Sequence, residues 1–274
     1  MRIRPAERKN GSQVRRRALK GGSATFGPSW ERLWKYLKGS VRVDLYAEIE
    51  LLLLTFCTGI QDATTFPDYH CFASNQTGNT IMLAIAATGM HEIDLFVPAN
   101  IGTSLGFFLL GGWSVGQLGH LIGPQKRLWL ILSNFVQTGM TFGAAALQYH
   151  FGVTLEGTCA IGVIALLAFA SGAQVVMSRA FSCNEISTAM ATAAFVDLLV
   201  DPYLLQANNR PRTRRVFFLI SLFLGALSGG VMYVRASSAL AIFISGVGKA
   251  IVTVMLLFNR VGKQEKSEEV VGMV

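Results

Sequence analysis

Hydrophobic positions fall in long runs rather than in alternation. Apolar blocks cover about 45–66, 73–90, 99–121, 128–149, 157–179, 185–205, 216–235 and 238–258. Each is near the roughly 20 residues that an α-helix needs to cross hydrocarbon. The pattern predicts an all-α fold, a polytopic helical membrane bundle with six to eight apolar segments. Trp129, Tyr149, Tyr203 and Tyr233 stand near block ends, where interfacial aromatic residues belong. Ahead of the blocks, SWERLWKYLK at 29–38 sets Trp30, Leu33, Trp34 and Leu37 at helical spacing opposite Arg32, Lys35 and Lys38. With Ser29 as cap, this predicts a short helix lying flat in the headgroup region; a plain cytoplasmic linker is the alternative.

Charge placement bears on the number of crossings. If all eight blocks cross and the N-terminal side is cytoplasmic, the GPQKR loop at 123–127 falls outside, against the positive-inside tendency. If the blocks at 73–90 and 185–205 enter and leave on one side, six spans remain. Lys126, Arg127, the basic cluster from Arg210 to Arg215 and Lys263 then share the side of the basic N-terminal tail. Charge favours six spans with both termini cytoplasmic. Those two odd blocks also belong to a short internal echo, TGIQ at 58–61 and SGAQ at 171–174, followed by Cys71 and Cys183 at nearly equal offset. The echo predicts an inverted two-fold repeat with interrupted helices, its halves at about 45–149 and 157–258, a common transporter design. The organisation is a basic tail at 1–40, disordered up to its helix, a membrane domain at 41–260 and a polar cytoplasmic tail at 261–274.

Composition narrows the partners. Only 15% of the 274 residues are charged, 51% are hydrophobic and the mean hydropathy is +0.44; a soluble domain carries about a quarter charged residues. Eleven of the 24 Lys and Arg residues precede residue 39, against Glu7 and Glu31. Such an arm is drawn to anionic lipid of the bilayer, and no folded reader accompanies it, so nucleic acid is not an expected partner. A homo-oligomer is compatible with this composition. No apolar stretch follows the first charges as a cleavable signal would require.

An enzyme is not expected. HExxH, GxSxG and a phosphate-binding glycine loop are all absent from the sequence, and His70, His91, His120 and His150 fall at block ends or in loops. Cys57, Cys71, Cys159 and Cys183 form no CxxC and read as ordinary small residues, so no cofactor or metal is expected.

Polar residues inside the blocks carry the candidate chemistry. The second block opens FASNQTGNTIMLA, at 72–84, with seven polar or glycine positions in a row. In hydrocarbon such groups must face protein or water. Thr55, Thr58, Gly59, Asp62 and Thr65 form a stripe on the first helix, Pro67 ends it, and Pro67, Asp68 and Tyr69 are expected to turn the chain. Ser74 or Asn75 then caps the next helix, whose start, with Asn75, Thr77, Gly78, Asn79 and Thr80, would attract an anionic group. Asn75-Gln76-Thr77 also fits a glycosylation sequon, unused at the mouth of an apolar block. Further stripes are Asn134, Gln137, Thr138 and Thr141, and Ser171, Gln174 and Ser178. Lys249 lies mid-block and needs a partner, Asp62 first and Asp197 second, unless it snorkels to an interface. Glu48 and Glu50 read as interfacial. Two readings stay open. Asp62, Asn75, Thr77, Gly78, Asn79, Thr80, Gln174 and Lys249 form a substrate or ion site for a small polar or anionic solute, with Asp62 the coupling group, in a transporter or channel. Alternatively the same groups satisfy one another in a non-transporting scaffold or assembly factor.

The combination of TGIQDATTF, FASNQTGNT and a second half opening FASGAQ resembles the YoaK-type family of uncharacterised membrane proteins, over about residues 45–260. The SNQTGN wording is that family's fungal style. The resemblance implies a multi-spanning helical membrane protein without a settled biochemical role, with Gly59, Asp62, Asn75, Thr77, Gly78 and Asn79 as motif positions. Thr192-Ala193-Ala194 stands where an echo of Thr-Gly-Asn would fall, a departure that weakens any symmetric pair of sites.

Overall fold

The computed structural model describes residues 29–89, 96–181 and 183–259. It divides into two compact units, Met1–Tyr36 and Leu37–Val274. The tails expected at 1–28 and 261–274 lie outside the described residues. The expected amphipathic segment is helix α1 (Ser29–Lys38), on which Trp30 and Trp34 are exposed and stack with ring centroids 5.8 Å apart.

The second unit contains α2 (Leu45–Tyr69), α3 (Gln76–Ala87), α4 (Pro98–Ile122), α5 (Arg127–Phe151), α6 (Thr158–Arg179), α7 (Ala191–Leu199), α8 (Arg210–Arg235) and α9 (Ser238–Phe258). Five of these, α4, α5, α6, α8 and α9, are long and apolar enough to cross a membrane. α2 matches them in length at 25 residues but buries the polar stripe along its inner face. α3 and α7, with 12 and 9 residues, are too short for hydrocarbon about 30 Å thick. The blocks at 73–90 and 185–205 therefore contribute half-helices.

Helix starts follow the capping chemistry of the sequence. The Asp44 carboxylate accepts from the Tyr46 and Ala47 N–H groups, and Asn209 and Ser237 cap α8 and α9 in the same way. Pro67 does not end α2. A proline in a last turn forfeits one backbone bond and leaves the rest, so the helix runs on through Asp68 and Tyr69 and stops at His70, whose φ is 54°.

α2 packs chiefly on α8, α4 on α6 and α5 on α9, while α3 lies on α4 and α7 on α8. Two of these crossings depend on the absence of a side chain. A Cβ on Gly225 would stand 2.1 Å from the Phe56 carbonyl oxygen, and one on Gly172 would stand 2.0 Å from that of Phe108. Gly59 and Gly111 make the return contacts, against Leu222 and Phe169. Close backbone approach of this kind drives helix association in lipid.

Arg127, Arg210, Arg214 and Arg215 gather at one end. There Glu48 meets Arg210 at 2.6 Å and Arg214 at 2.7 Å, and Arg214 also meets Glu185 at 3.3 Å. Arg127, fully buried, donates to the Asn259 carbonyl, and Asn259 donates to Glu50 at 2.8 Å. Glu48 and Glu50 are thus buried and partnered at that end. At the other end Asn100 ties the ends of α2 and α5 together through the Tyr69 and Leu155 carbonyls. The buried apolar residues form two clusters. One, with Leu54, Leu130, Phe218 and Val252, lies toward the basic end; the other, with Tyr69, Ile101, Ile164 and Leu167, lies toward the opposite end. Between them runs a polar belt.

Candidate functional site

The belt splits into two sites where the sequence suggested one. The first is a cavity of about 530 Å³. Asp62 of α2, Ser74 and Asn75 before α3, and Gln76 and Thr77 in its first turn line one side. Met190, Ala191 and Thr192 at the start of α7 line the other. Phe108, Leu222 and Ala226 close it from the middle of α4 and α8, and Val175 from α6. Two half-helix starts thus face one space at mid-length of the long helices, a size suited to a small organic molecule.

Asp62 is held by the loop before α3. Its carboxylate accepts from the Ser74 N–H at 2.8 Å and from the Ser74 Oγ–H at 2.5 Å. Asn75 is the α3 cap, accepting from the Gly78 N–H at 3.3 Å. Asn79, in contrast, does not face the cavity. It is fully buried, accepts from the Phe72 N–H at 2.9 Å and donates to the Phe72 carbonyl at 2.8 Å, Gln76 Oε1 at 2.9 Å and Ser104 Oγ at 3.0 Å. Its amide stitches the loop, α3 and α4 together. Gly78 lies against the Phe72 ring, where a Cβ would come within 3.2 Å, and Thr80 Oγ donates back to the Gln76 carbonyl. Within the motif, Asn75, Gln76 and Thr77 line the cavity, whereas Gly78, Asn79 and Thr80 lie outside its lining.

The second site lies deeper, among α2, α6 and α9. Gln174 donates to Thr58 Oγ at 2.8 Å, Ser171 donates to Gln61 at 3.4 Å, and Gln61 donates to Ser245 at 2.8 Å. Lys249 is fully buried, so it does not snorkel, and its Nζ donates to Gln174 Oε1 at 2.5 Å. This corrects the expected pairing. Asp62 turns toward Ser74, and Asp197 is 56% exposed with its carboxylate 3.8 Å from Arg215. Successive turns of α2 point different ways: Gly59 and Asp62 reach the cavity, while Thr58 and Gln61 reach the Gln174–Lys249 network.

Several groups here escaped the sequence reading. Gln61 and Ser245 are central to the deeper network, and the TGIQ/SGAQ echo was the signal for Gln61. Asp68, expected in a turn, is buried and accepts from Ser238 and Gln148. Outside the long helices, the Asn209 side chain and the Tyr203 N–H hold the Asp201 carboxyl below its ordinary range. Among the described residues no group of His, Cys, Asp and Glu could hold a metal ion. A larger opening of about 780 Å³ on α5 and α9 is walled by Phe142, Ala145 and Phe243 and lacks ionisable chemistry apart from Tyr149.

Long apolar helices around a buried polar belt define a polytopic helical membrane protein. The chain belongs to the DUF1275 family, described as a protein family of unknown function, whose model matches residues 51–255. No curated protein and no solved structure matches it.

Proposed function

We propose that this protein moves a small polar solute across a membrane, without catalysis, through the cavity between the starts of α3 and α7. The observation that carries the reading is that cavity. Two interrupted segments begin at one partly open space beside a carboxylate, and irregular backbone at such depth is tolerated where it lines a cavity. The reading includes six spans, with α2 as the sixth and the basic end cytoplasmic. It also includes an inverted repeat, α2 to α5 and α6 to α9. Reciprocal packing supports this: α2 on α8 mirrors α6 on α4, and Gly225 on Phe56 mirrors Gly111 on Phe169. Reciprocal hydrogen bonds support it too, since Gln174 reaches Thr58 and Ser171 reaches Gln61. α1, with stacked tryptophans on one face, would rest on anionic lipid.

Purified protein in sealed vesicles tests the reading by osmotic swelling in a panel of small solutes. At least one solute should enter faster than into empty vesicles, and Asp62→Asn should abolish the difference while the protein stays folded. Swelling no faster than in empty vesicles for every solute would contradict transport. Unchanged uptake by Asp62→Asn would remove Asp62 from the mechanism.

A second reading is favoured by Asn79, whose amide is saturated by protein partners. In a non-transporting scaffold the whole motif would serve that locking role. The scaffold expects solution to have no access to Thr77.

A further inference from the structure

The two half-helix starts invite an anion, yet the charge around the cavity argues otherwise. Among the described lining residues Asp62 is the ionisable side chain, and none is Lys, Arg or His. The donors that reach Asp62 are uncharged, the Ser74 N–H and hydroxyl together with the Ala73 backbone, and no cation stands beside the carboxylate. Several of the groups that would greet an anion are already engaged, although the first turn of α7 has no side-chain cap. Ser74 gives its N–H and hydroxyl to Asp62, the Gly78 N–H goes to Asn75 Oδ1, and the Met190 N–H goes to Ser187 Oγ. A negative solute entering here would meet a carboxylate with no paired cation, at low dielectric, where like charges repel far more than in water. The nearby guanidinium of Arg179 is exposed to solvent and contacts Met190 Sδ at 3.9 Å, outside the lining.

We infer that the cavity takes a small organic cation, an amine or quaternary ammonium, with Asp62 as its counter-ion. The inference rests on the transport reading for the solute's route, while the solute's class follows from the charge of the lining. Phe108, Val175, Met190 and Leu222 supply apolar surface for the carbon substituents, and Thr77 and Thr192 supply hydroxyl acceptors for any N–H groups. Asp62 replaces the α3 start as the recognising group, and the anionic solute expected from that start alone gives way to a cation.

The test reads the sign of the cavity without knowing the natural solute. Thr192→Cys is placed in the full chain, and labelling by a trimethylammonium-bearing thiosulfonate is compared with labelling by a sulfonate-bearing one of similar size. Wild-type labelling serves as baseline, because Cys57, Cys71 and Cys183 are buried. The cationic reagent should react about tenfold faster, relative to the ratio on a free thiol, since a cleft of one sign concentrates its counter-ions by that order. Asp62→Asn should remove the preference and Asp62→Glu should keep it. Equal or faster reaction of the anionic reagent overturns the proposal, as does a preference that survives Asp62→Asn, or no labelling of folded protein by either reagent. Should Asp62→Asn fail to fold, tetramethylammonium is used as a protecting probe on the Thr192→Cys protein. It should slow labelling where sodium acetate at equal ionic strength does not; equal slowing overturns the proposal. Anion preference in a protein that still swells vesicles would sink the cation and leave transport standing. Cation preference without swelling would do the reverse.

Discussion

The starts of α3 and α7 face one cavity and are built by different means. At α3, Asn75 caps the helix with its side chain, and Asn79 binds both the Phe72 backbone and Ser104 of α4. At α7 the N-cap is Met190, which makes no side-chain cap bond, and Thr188 just before it adopts a left-handed φ of 62°. A β-branched residue in that region is strained. The α7 side is secured by charge instead, through Arg214 on Glu185 and Glu48 and through Arg215 on Asp197 and Asp201. One start is locked by fixed amides. The other is strained and held by ion pairs partly open to solvent, the kind of element from which moving parts are drawn. Position 62 carries the same divergence, with Asp62 on α2 and apolar Val175 following the echoed SGAQ on α6.

The comparison can be broken at its frame. Gly172→Leu and Gly225→Leu should each cost more than about 3 kcal/mol, because the new side chain meets a backbone carbonyl that cannot yield. Neither variant should give a monodisperse peak in detergent. Retention of wild-type melting by either would refute the crossing that it tests.

The next largest effect should separate the two starts. Asn79→Ala removes four hydrogen bonds and leaves the Phe72 N–H without its partner, while Ser104 still serves the Phe72 carbonyl, a loss of about 3 kcal/mol. Thr192→Ala, at the corresponding place on α7, should change stability by less than about 0.5 kcal/mol. Thermal melts of the two side by side decide it, and equal losses would erase the asymmetry.

Much of the bundle was legible because lipid imposes a simple rule of length and apolarity. The blocks, the amphipathic α1 and the Asn75 cap follow from spacing and side-chain type alone. The half-helices were legible only through charge, since the apolar runs at 73–90 and 185–205 look like their spanning neighbours until capping and loops claim their ends. The partner of Lys249 was not legible. Periodicity gives the face of a helix but not its rotation against a neighbour, and Asp62 lies about 100° around α2 from Gln61 and so faces a different space. Asp68 was missed because Pro67 was read as a stop, although a proline so near the end costs the helix little.

Two smaller effects sharpen the contrast. Arg214→Ala should cost about 2 kcal/mol, since it leaves the buried Glu48 with only the exposed Arg210, and part of that loss should be mimicked by raised salt in the wild type. A salt-independent loss would mean that Arg214 acts by packing. Thr188→Gly should raise stability by about 1 kcal/mol by relieving the left-handed backbone, where a glycine bears no penalty. A destabilised Thr188→Gly would show that its side chain is needed at the α7 start.

Sidedness of access to the cavity tests the central claim most directly. A cysteine at Thr77, which lines the cavity and is exposed there, is treated in sealed, oriented vesicles with a membrane-impermeant thiol reagent from each face in turn. The transport reading expects labelling from both faces, with Arg214→Ala raising the rate from the basic face. Labelling from neither face in a folded protein, or from one face alone in wild type and variant alike, would contradict the account and favour a scaffold.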